Sequence, residues 1–218
     1  MKILVIDIGG TNVKVKVNND QERRKIPSSS DLTPQVMVTQ VLETTKDWEY
    51  EAISIGYPGV IKKGKIKTEP KNLGQGWTTF DFEKAFGKPV KILNDAAMQA
   101  LGSYEGGVLL FLGLGTGMGS AIVAEGSVVP MEMAHLSYRK GTFEDYVGLR
   151  GLERMGQEKW EKHVQAVIVR YQAAFLPDDI VIGGGNSKLL SAMPAGCRLG
   201  NNHLAFDGGF RMWDNHYH

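Results

Sequence analysis

The sequence lacks the features that mark secreted and membrane-bound proteins. Its single cysteine, Cys197, can form no internal disulfide, which is typical of a reducing compartment. The longest apolar run, VLLFL at 108–112, is too short to span a bilayer. The N-terminus, MKILVIDIGG, has neither the long apolar stretch nor the cleavage site of a signal peptide. We therefore expect a soluble cytoplasmic protein with no membrane partner.

An excess of charge of one sign is also missing. Lys and Arg number 25 and Asp and Glu 24, so the formal net charge is +1. This balance gives no indication of nucleic acid as a partner. With 218 residues, 42% of them hydrophobic and 22% charged, the chain has the composition of a globular protein with one large or two small domains.

Glycine, by contrast, is abundant, with 27 residues that cluster. ILVIDIGGTNVKVKV at 3–17 reads as a buried strand, a glycine turn and a second strand with alternating valines. FLGLGTGMGSAIVA at 111–124 has the same layout. The repeat predicts two lobes, 1–104 and 105–203, with the seam at 104–107.

Strands alternate with helices along the rest of the chain. The apolar patterns predict strands at 3–8, 11–18, 51–56, 90–93, 108–112, 120–124 and 179–182. Thr33 and Pro34 open one helix, and a second follows Asp95. A third carries apolar residues at spacings of three and four over 160–175 and is ended by Pro177. The fold class is therefore α/β.

The glycine turns are candidate phosphate sites. A single turn is as well explained by a plain hairpin. Two turns, one with a glycine at every second position from 113 to 119 and one preceded by Asp7, favour nests of backbone N–H groups that hold phosphate oxygens. GGG at 183–185 is either a tight strand-to-helix turn or a surface on which a nucleotide lies; it is neither a Walker loop nor a dinucleotide fingerprint.

Asp95 follows the strand VKILN, and ligands bind at the carboxyl ends of strands in open α/β sheets. A carboxylate there can act as a general base. Asn94 and Asp95 can equally cap the next helix, and the spacing alone favours the cap.

DIGGTNVK at 7–14 resembles the phosphate-binding opening of the sugar kinase, actin and Hsp70 superfamily, and specifically of the ROK family (repressors, open reading frames and sugar kinases). Supporting stretches occur in family order: YPGVIKKGKI at 57–66, NLGQGW at 72–77, ILNDA at 92–96, GLGTGMGSAIV at 113–123, EMAHL at 132–136 and IVIGGGNSKL at 180–189. The resemblance implies a two-lobed actin-like (ribonuclease H-like) fold, with a mixed sheet in each lobe and the active site between them.

The resemblance also implies phosphoryl transfer to a sugar, with a role for each matched residue. Asp95 becomes the general base, which overturns the preference for a cap. Asp7 would hold Mg²⁺ through water. The implied phosphate ligands are Gly9, Gly10, Thr11, Gly115, Thr116 and Gly117; the nucleotide ligands are Gly183, Gly184 and Gly185; the sugar ligands are Asn72, Asn94, Asp95, Glu132, His135 and Glu144. Lys14 either adds positive charge to the phosphate site or faces solvent.

Within the family, the tail at 194–213 and YRKGTFEDYVG at 138–148 resemble polyphosphate glucokinases. They imply a glucokinase that uses polyphosphate, ATP or both, a homodimer, and a C-terminal segment, about 204–218, that packs back on the first lobe. A polyanionic donor would fit a basic groove, for which the sequence offers Lys62, Lys63, Lys65, Lys67, Lys71, Arg139 and Lys140, although such lysines are more often simply solvated.

Three alternatives remain. One is a ROK-family or related kinase for another acceptor, such as another hexose, an amino sugar or pantothenate. A sugar-responsive repressor is disfavoured because the chain begins inside the first strand and its charge is nearly balanced. A non-catalytic sugar-binding protein is disfavoured because Asp95 is present.

The sequence departs from the family pattern at one place. Most members carry zinc-binding cysteines after the histidine that matches His135, but HLSYRKGTFE contains none, which excludes a thiolate zinc site. We expect packing of Phe143 and Tyr146 to fix this loop instead. The chain is also short for the family between Glu144 and the helix at 160–175.

Overall fold

The structure, a computed structural model, describes residues 1–18, 22–201 and 203–217. Asn202 and His218, which belong to the C-terminal stretches discussed above, lie outside these ranges. The strands are β1 (Ile3–Ile8), β2 (Asn12–Val17), β3 (Arg24–Pro27), β4 (Ala52–Tyr57), β5 (Ile61–Lys62), β6 (Lys65–Ile66), β7 (Val90–Asn94), β8 (Val108–Leu114), β9 (Met118–Ala124), β10 (Ser127–Met131), β11 (Ser137–Tyr138), β12 (Gly141–Thr142), β13 (Asp179–Gly183) and β14 (Cys197–Leu199). The helices are α1 (Pro34–Thr44), α2 (Phe82–Phe86), α3 (Asp95–Ser103), α4 (Phe143–Val147), α5 (Leu149–Met155), α6 (Gln157–Phe175) and α7 (Leu204–Arg211), with 3-10 turns at Met133–His135 and Gly185–Leu189.

Two five-stranded sheets of the same topology form the framework. The first has the order β3-β2-β1-β4-β7 and the second β10-β9-β8-β13-β14. In each sheet the first three strands are antiparallel and the last two join in parallel. The repeat that the sequence shows in two hairpins therefore extends to five strands in each half.

The burial of the strands follows their sequence patterns. β1 is apolar almost throughout because both faces of the sheet are covered, and its only incompletely buried residue is Asp7. β2 alternates, with Val13, Val15 and Val17 buried. The strands predicted from sequence all form. The missed strands of the two large sheets, β3, β10 and β14, are three of their four edges, where short, partly exposed strands and prolines such as Pro130 are tolerated. The two-residue strands β5, β6, β11 and β12 were also missed.

The predicted helices also form. Thr33 Oγ1 accepts the backbone N–H of Val36 at 3.4 Å, with Pro34 at the first helical position of α1. α6 buries an apolar stripe of Trp160, Val164, Val167, Ile168 and Tyr171 against the second sheet. None of the described helices is long and apolar enough to cross a membrane.

α3 and α7 pack against each other between the two sheets. α3, which follows the last strand of the first sheet, also contacts β8 and β9 of the second, whereas α7 contacts β1 and β4 of the first. A Cβ on Gly102 would lie 1.8 Å from the carbonyl oxygen of Leu204, and one on Gly208 would lie 1.8 Å from that of Met98. The helices cross this closely only because both positions are glycine.

Candidate functional site

The first glycine turn joins β1 to β2 and presents its backbone outward. The N–H of Gly9 donates to the carbonyl of Asn12 at 3.1 Å, and the hydroxyl of Ser28 donates to the carbonyl of Gly9 at 2.7 Å. Gly10 and Thr11 are exposed at the tip. A Cβ added to Gly10 would meet only Asn72, at 3.7 Å. The structure thus brings Asn72 beside this turn and leaves the tip accessible to a ligand.

Asp7 and Lys14 stand directly opposite each other in the hairpin. Lys14 Nζ lies 3.1 Å from Asp7 Oδ2, and the two side chains are 28% and 14% exposed. Of the two interpretations of Lys14, the structure favours the one that places its charge beside Asp7, with the side chain only partly exposed to solvent. The hairpin register, which a two-glycine turn between alternating strands indicates, was the sequence signal for this pair.

Asp95 lies in the first turn of α3, where the parallel strand β7 ends. The cap itself is Asn94, whose Oδ1 accepts the N–H groups of Ala96 and Ala97 at 3.0 and 3.2 Å. Asn94 Nδ2 donates to the carbonyl of Gly59 at 3.1 Å, which leaves one amide N–H for a ligand. Asn94 is therefore the N-cap of α3. Asp95 accepts the N–H of Ala96 with Oδ1, and its other carboxylate oxygen takes no part in this bond.

Burial raises the pKa of Asp95 to about 7, and the negative charges of Asp7 and, more weakly, Glu132 act in the same direction. Hydrogen bonds from the backbone oppose this shift but do not cancel it. An aspartate that titrates near neutrality is suited to accept a proton. Asp7 and, more weakly, Glu132 therefore lie within electrostatic reach of Asp95.

The second glycine turn joins β8 to β9. A Cβ on Gly117 would lie 2.6 Å from Oε2 of Glu144, and one on Gly119 would lie 2.8 Å from Cβ of Ala96. These two glycines are therefore required by the protein's own close packing. Around Gly115 nothing lies within 4 Å of an added Cβ, and Thr116 is exposed. Gly115 is the position in this turn that faces open space.

Glu132, His135 and Glu144 form a chain of polar groups beside the second turn. His135 Nε2 lies 3.5 Å from Glu132 Oε2, and its Nδ1 lies 3.9 Å from Glu144 Oε1. Glu144 is only 14% exposed, whereas the other two are more than half exposed. The hydroxyl of Tyr171 donates to the carbonyl of Met133 at 3.3 Å and so supports the turn between Glu132 and His135.

The loop that carries Glu144 is held by ring packing, as the sequence predicts. Phe143 stacks on Tyr138 with ring centroids 5.0 Å apart, and Tyr146 meets Tyr138 edge-on at 5.1 Å. Thr142 and Asp145 form a capping box at the start of α4. Glu144 consequently stands on a helix rather than on a free loop.

Lys71 reaches Glu144 from the first half of the chain. Lys71 Nζ lies 3.9 Å from Glu144 Oε1, and NH2 of Arg150 lies 3.6 Å from the same oxygen. The segment with Lys71 and Asn72 is fastened by Glu69, whose carboxylate accepts the N–H groups at 76, 77 and 78 at 3.0 to 3.1 Å. The sequence indicated neither the Lys71 nor the Arg150 contact.

In the run at 183–185, as in the second turn, some glycines are required by internal packing and one has open space around it. A Cβ on Gly183 would lie 2.6 Å from the ring of Phe111. Gly184 has a φ of +84°, and a Cβ added there would lie 2.3 Å from the carbonyl oxygen of Leu114. Gly185 has open space. Asn186 Nδ2 donates to the carbonyl of Gly115 at 3.0 Å, so this run lies beside the second turn. Internal packing accounts for two glycines, and only Gly185 offers an open backbone.

The residues around Asp7 are compatible with Mg²⁺. No group of three or more His, Cys, Asp or Glu side chains arranged to hold a metal occurs among the described residues. Mg²⁺ commonly takes one or two carboxylates, with water and substrate phosphates completing its shell. Asp7, at a partly exposed turn with Oδ2 bonded to Lys14, can supply such a ligand through water.

Solved structures share this architecture. An inorganic polyphosphate/ATP-glucomannokinase from Arthrobacter sp. strain KM superposes with a TM-score of 0.81 at 23% identity, over 95% of this chain and 96% of that one. A ROK family glucokinase from Streptomyces griseus, solved with glucose and AMPPNP, gives 0.76 at 16% identity, over 96% and 98%. The fold is therefore the two-lobed, actin-like α/β fold of the ROK sugar kinases.

Within that class, the chain belongs to the ROK family, whose pattern its residues 3–130 match. It is also similar in sequence to a polyphosphate glucokinase from Mycobacterium tuberculosis (strain CDC 1551 / Oshkosh), with 27% identity over 205 residues, 84% of this chain and 77% of that protein.

Proposed function

We propose that this ROK-family protein is a sugar kinase that transfers a phosphoryl group from polyphosphate, ATP or both to the 6-hydroxyl of glucose. The observation that carries the proposal is Asp95, a partly buried carboxyl group with a pKa of about 7. The next residue, Ala96, packs against Gly119 of the second glycine turn, and the charge of Asp7, before the first turn, acts on Asp95. The relatives named above support the choice of sugar and of donors. The name of the Arthrobacter enzyme also makes mannose the first alternative acceptor to test.

In this proposal Asp95 is the general base. It accepts the proton of the sugar hydroxyl while that oxygen attacks the terminal phosphorus of the donor, and the rest of the donor leaves with the bridging oxygen. Phosphoryl transfer needs positioning and charge stabilisation more than covalent catalysis. In this proposal Gly9–Thr11 and Gly115–Gly117 cradle the phosphate oxygens from the two lobes. The N–H groups of Gly9 and Gly115 already donate to the carbonyls of Asn12 and Gly117, so the phosphate donors would be the N–H groups of the other residues in each turn.

Cations complete the phosphate site. Lys14 would exchange its bond with Asp7 for one with a phosphate oxygen when the donor binds. Asp7 would then hold Mg²⁺ through water, and bound Mg²⁺ supplies charge neutralisation of the phosphates. Gly183–Gly185 is the proposed nucleotide surface, for which Gly185 is the open position.

The sugar would be held by Asn72, Asn94, Glu132, His135 and Glu144. Asn94 offers its one remaining N–H, and the three residues of the second lobe offer both donors and acceptors for hydroxyl groups. A site that pairs several hydroxyls rejects sugars in which one is missing or inverted, because a buried polar group is then left unpaired.

The first test is an assay of the purified protein for glucose 6-phosphate with Mg²⁺, with ATP and polyphosphate side by side. We expect product, and we expect Asp95→Asn to lower kcat by roughly 10²- to 10⁴-fold, the usual range for a general base. Asp31→Asn, at an exposed aspartate outside the site, is the matched control and should leave kcat unchanged.

Each outcome has a definite meaning. Product with ATP alone keeps the kinase and removes polyphosphate from the proposal. Full activity in Asp95→Asn would reject Asp95 as the base. Absence of product with both donors across glucose, mannose and amino sugars would reject the enzyme and bring forward the sugar-binding alternative. The homodimer and the cytoplasmic location are also part of the proposal, and light scattering in solution tests the first.

A further inference from the structure

Arginine side chains continue outward from the second glycine turn along α5. This helix begins at the turn itself, since the N–H of Leu149 donates to the carbonyl of Gly115 at 3.0 Å. The next residue, Arg150, lies 3.6 Å from Glu144 Oε1 and 3.3 Å from Asp145 Oδ1 through its NH2 group. Arg150 therefore marks the inner end of a series of cations.

Arg154 stands one helical turn further on the same face of α5. Its NH2 group donates to the carbonyl of Asp145 at 2.7 Å, and its guanidinium lies 5.2 Å from the ring centroid of Tyr146. The Tyr146 ring is in turn 5.1 Å from that of Tyr138. A guanidinium that is bonded to a carbonyl and stacked on a ring is held in orientation.

Two more arginines converge on Tyr138 from other elements. Arg139, in the turn between β11 and β12, lies 5.6 Å from the Tyr138 ring centroid, and Arg170, on α6, lies 5.3 Å from it. Burial lowers the pKa of His163, and the charges of Arg139 and Arg154 lower it further. These two guanidinium groups thus act on one imidazole, although they come from different elements.

Within the part of the chain that the structure describes, the outer three of these arginines form no ion pair, although hydrogen bonds from Thr142 and, more weakly, the charges of Arg150 and Arg154 lower the pKa of Asp145. Among residues 1–18, 22–201 and 203–217, no carboxylate lies within ion-pair distance of Arg139, Arg154 or Arg170. All three are exposed, and the only side-chain hydrogen bond of Arg170 within those ranges goes to the carbonyl of Ala166. Most of their N–H donors are therefore available, and their mutual repulsion is relieved when a polyanion binds.

We propose that Arg150, Arg154, Arg139 and Arg170, here the arginine track, bind the chain of an inorganic polyphosphate whose terminal phosphoryl group lies at the second glycine turn. The inference rests on the proposed function and deepens it by assigning the donor class and its path. Guanidinium groups match phosphate geometry. ATP, whose three phosphates end in a nucleoside, does not extend along the track, so the track distinguishes a long donor from a short one.

The test compares donors in an Arg154→Gln/Arg170→Gln double variant. Glutamine keeps part of the aliphatic stem over the rings and removes two charges. We expect the KM for long-chain polyphosphate to rise roughly 5- to 30-fold, the effect of losing two exposed charge contacts. The KM values for ATP and glucose, and kcat, should stay within twofold, and the dependence of the polyphosphate KM on salt should weaken.

Two controls separate charge from packing. Arg154→Lys/Arg170→Lys keeps both charges and should retain most of the affinity. Arg23→Gln, at an exposed arginine at the start of the first lobe, should change nothing. If the double glutamine variant is not folded by circular dichroism, Arg139→Gln, at an exposed hairpin tip, replaces it, with a smaller expected rise of the same selectivity.

An unchanged KM for polyphosphate, or an equal rise for ATP, would overturn the track. If the wild type phosphorylates sugar only from ATP and does not bind long-chain polyphosphate in equilibrium dialysis, the track is also rejected while the kinase stands. If the wild type makes no product at all, the proposed function fails, and equilibrium dialysis with polyphosphate then tests the arginine track by itself. Polyphosphate binding that weakens in the glutamine variants supports the track. Binding that is absent, or unaltered in those variants, rejects it.

Discussion

Asp95 shows how one carboxyl group is tuned by its surroundings. Its backbone partners stabilise the ionised form, and an ordinary first-turn aspartate has a low pKa for that reason. Here burial outweighs those hydrogen bonds, and Asp7 adds repulsion even though Lys14 bonds to one of its oxygens. The net result is a pKa of about 7.

This shift predicts the pH dependence of the reaction. Because the base must be ionised, kcat/KM for the sugar should fall as the pH decreases through about 7, whereas an unperturbed aspartate would remain active to about pH 4. Asp7→Asn removes a neighbouring negative charge, so the acid limb should move to lower pH even though the rate falls. Profiles from pH 5 to 9 measure both; a limb that stays near pH 4 in the wild type, or that moves upward in the variant, contradicts the assignment.

The same shift has a consequence for stability that needs no substrate. The folded-state pKa of Asp95 exceeds its unfolded value, so the folded state binds the proton more tightly and loses relative stability as the pH rises from about 4 through 7. Asp95→Asn cannot ionise. Its stability relative to the wild type should therefore be higher at pH 8 than at pH 4, and urea unfolding at the two pH values provides a check that is independent of activity.

At the scale of elements, the glycine turns combine two requirements that the sequence cannot separate. Gly117 and Gly119 accommodate Glu144 and Ala96, whereas Gly115 has open space around it. The spacing of the glycines indicates that something approaches the backbone closely, but it does not say whether that is a ligand or the protein. Only the packing of α3 and α4 against the turn distinguishes the two.

Gly115→Ala and Gly185→Ala exploit this difference. A Cβ at either position meets nothing within 4 Å, and neither glycine has a positive φ, so stability should change by less than about 0.5 kcal/mol. If phosphates lie on the second turn, a Cβ at Gly115 would hold them away from the backbone, so Gly115→Ala should raise the KM of both donors roughly tenfold, an effect about the size of one hydrogen bond to a charged group. Gly185→Ala should affect ATP alone. Donor kinetics beside thermal melts test this, and unchanged donor KM values with unchanged melting would remove the turns from the phosphate site.

What the sequence predicts at this scale depends on burial. Interior strands such as β1 and β13 carry continuous apolar runs and are predicted with nearly correct ends. Three of the four edge strands, β3, β10 and β14, bury too little surface to leave a pattern; the fourth edge, β7, was predicted. For Asn94 and Asp95 the sequence offered two roles, the cap of α3 or catalysis, and the structure shows that Asn94 is the cap.

At the scale of the molecule, the contacts between distant segments are what the sequence could not predict. Gly102 and Gly208 look unexceptional alone, and their meaning lies in the crossing of α3 and α7. The arginine track likewise depends on three elements that meet at one aromatic cluster. The matched site residues were predictable because each falls within a short local motif, whereas Lys71 and Arg150 carry no motif and are recognised only by their contacts with Glu144.

The division into lobes remains a proposal, and the contacts of α7 support assigning the C-terminal segment to the first lobe. Ser54, in the centre of β4, is fully buried, and its hydroxyl donates to the carbonyl of Gly209 at 2.6 Å. The same oxygen accepts the indole N–H of Trp213 at 2.9 Å. One serine therefore joins the middle of the first sheet to both α7 and the residues beyond it.

Ser54→Ala tests that assignment against Ser120→Ala. The first change leaves the Gly209 carbonyl and the Trp213 indole without their partner, which should cost about 1–3 kcal/mol. Ser120, equally buried in β9, donates to the carbonyl of Met131, so its loss should loosen β10 instead. Hydrogen exchange measured by mass spectrometry should show faster exchange over 204–213 together with β4 in Ser54→Ala, and over the second sheet in Ser120→Ala. If 204–213 instead exchanges faster in Ser120→Ala, the C-terminal segment belongs energetically to the second lobe and the proposed division is wrong.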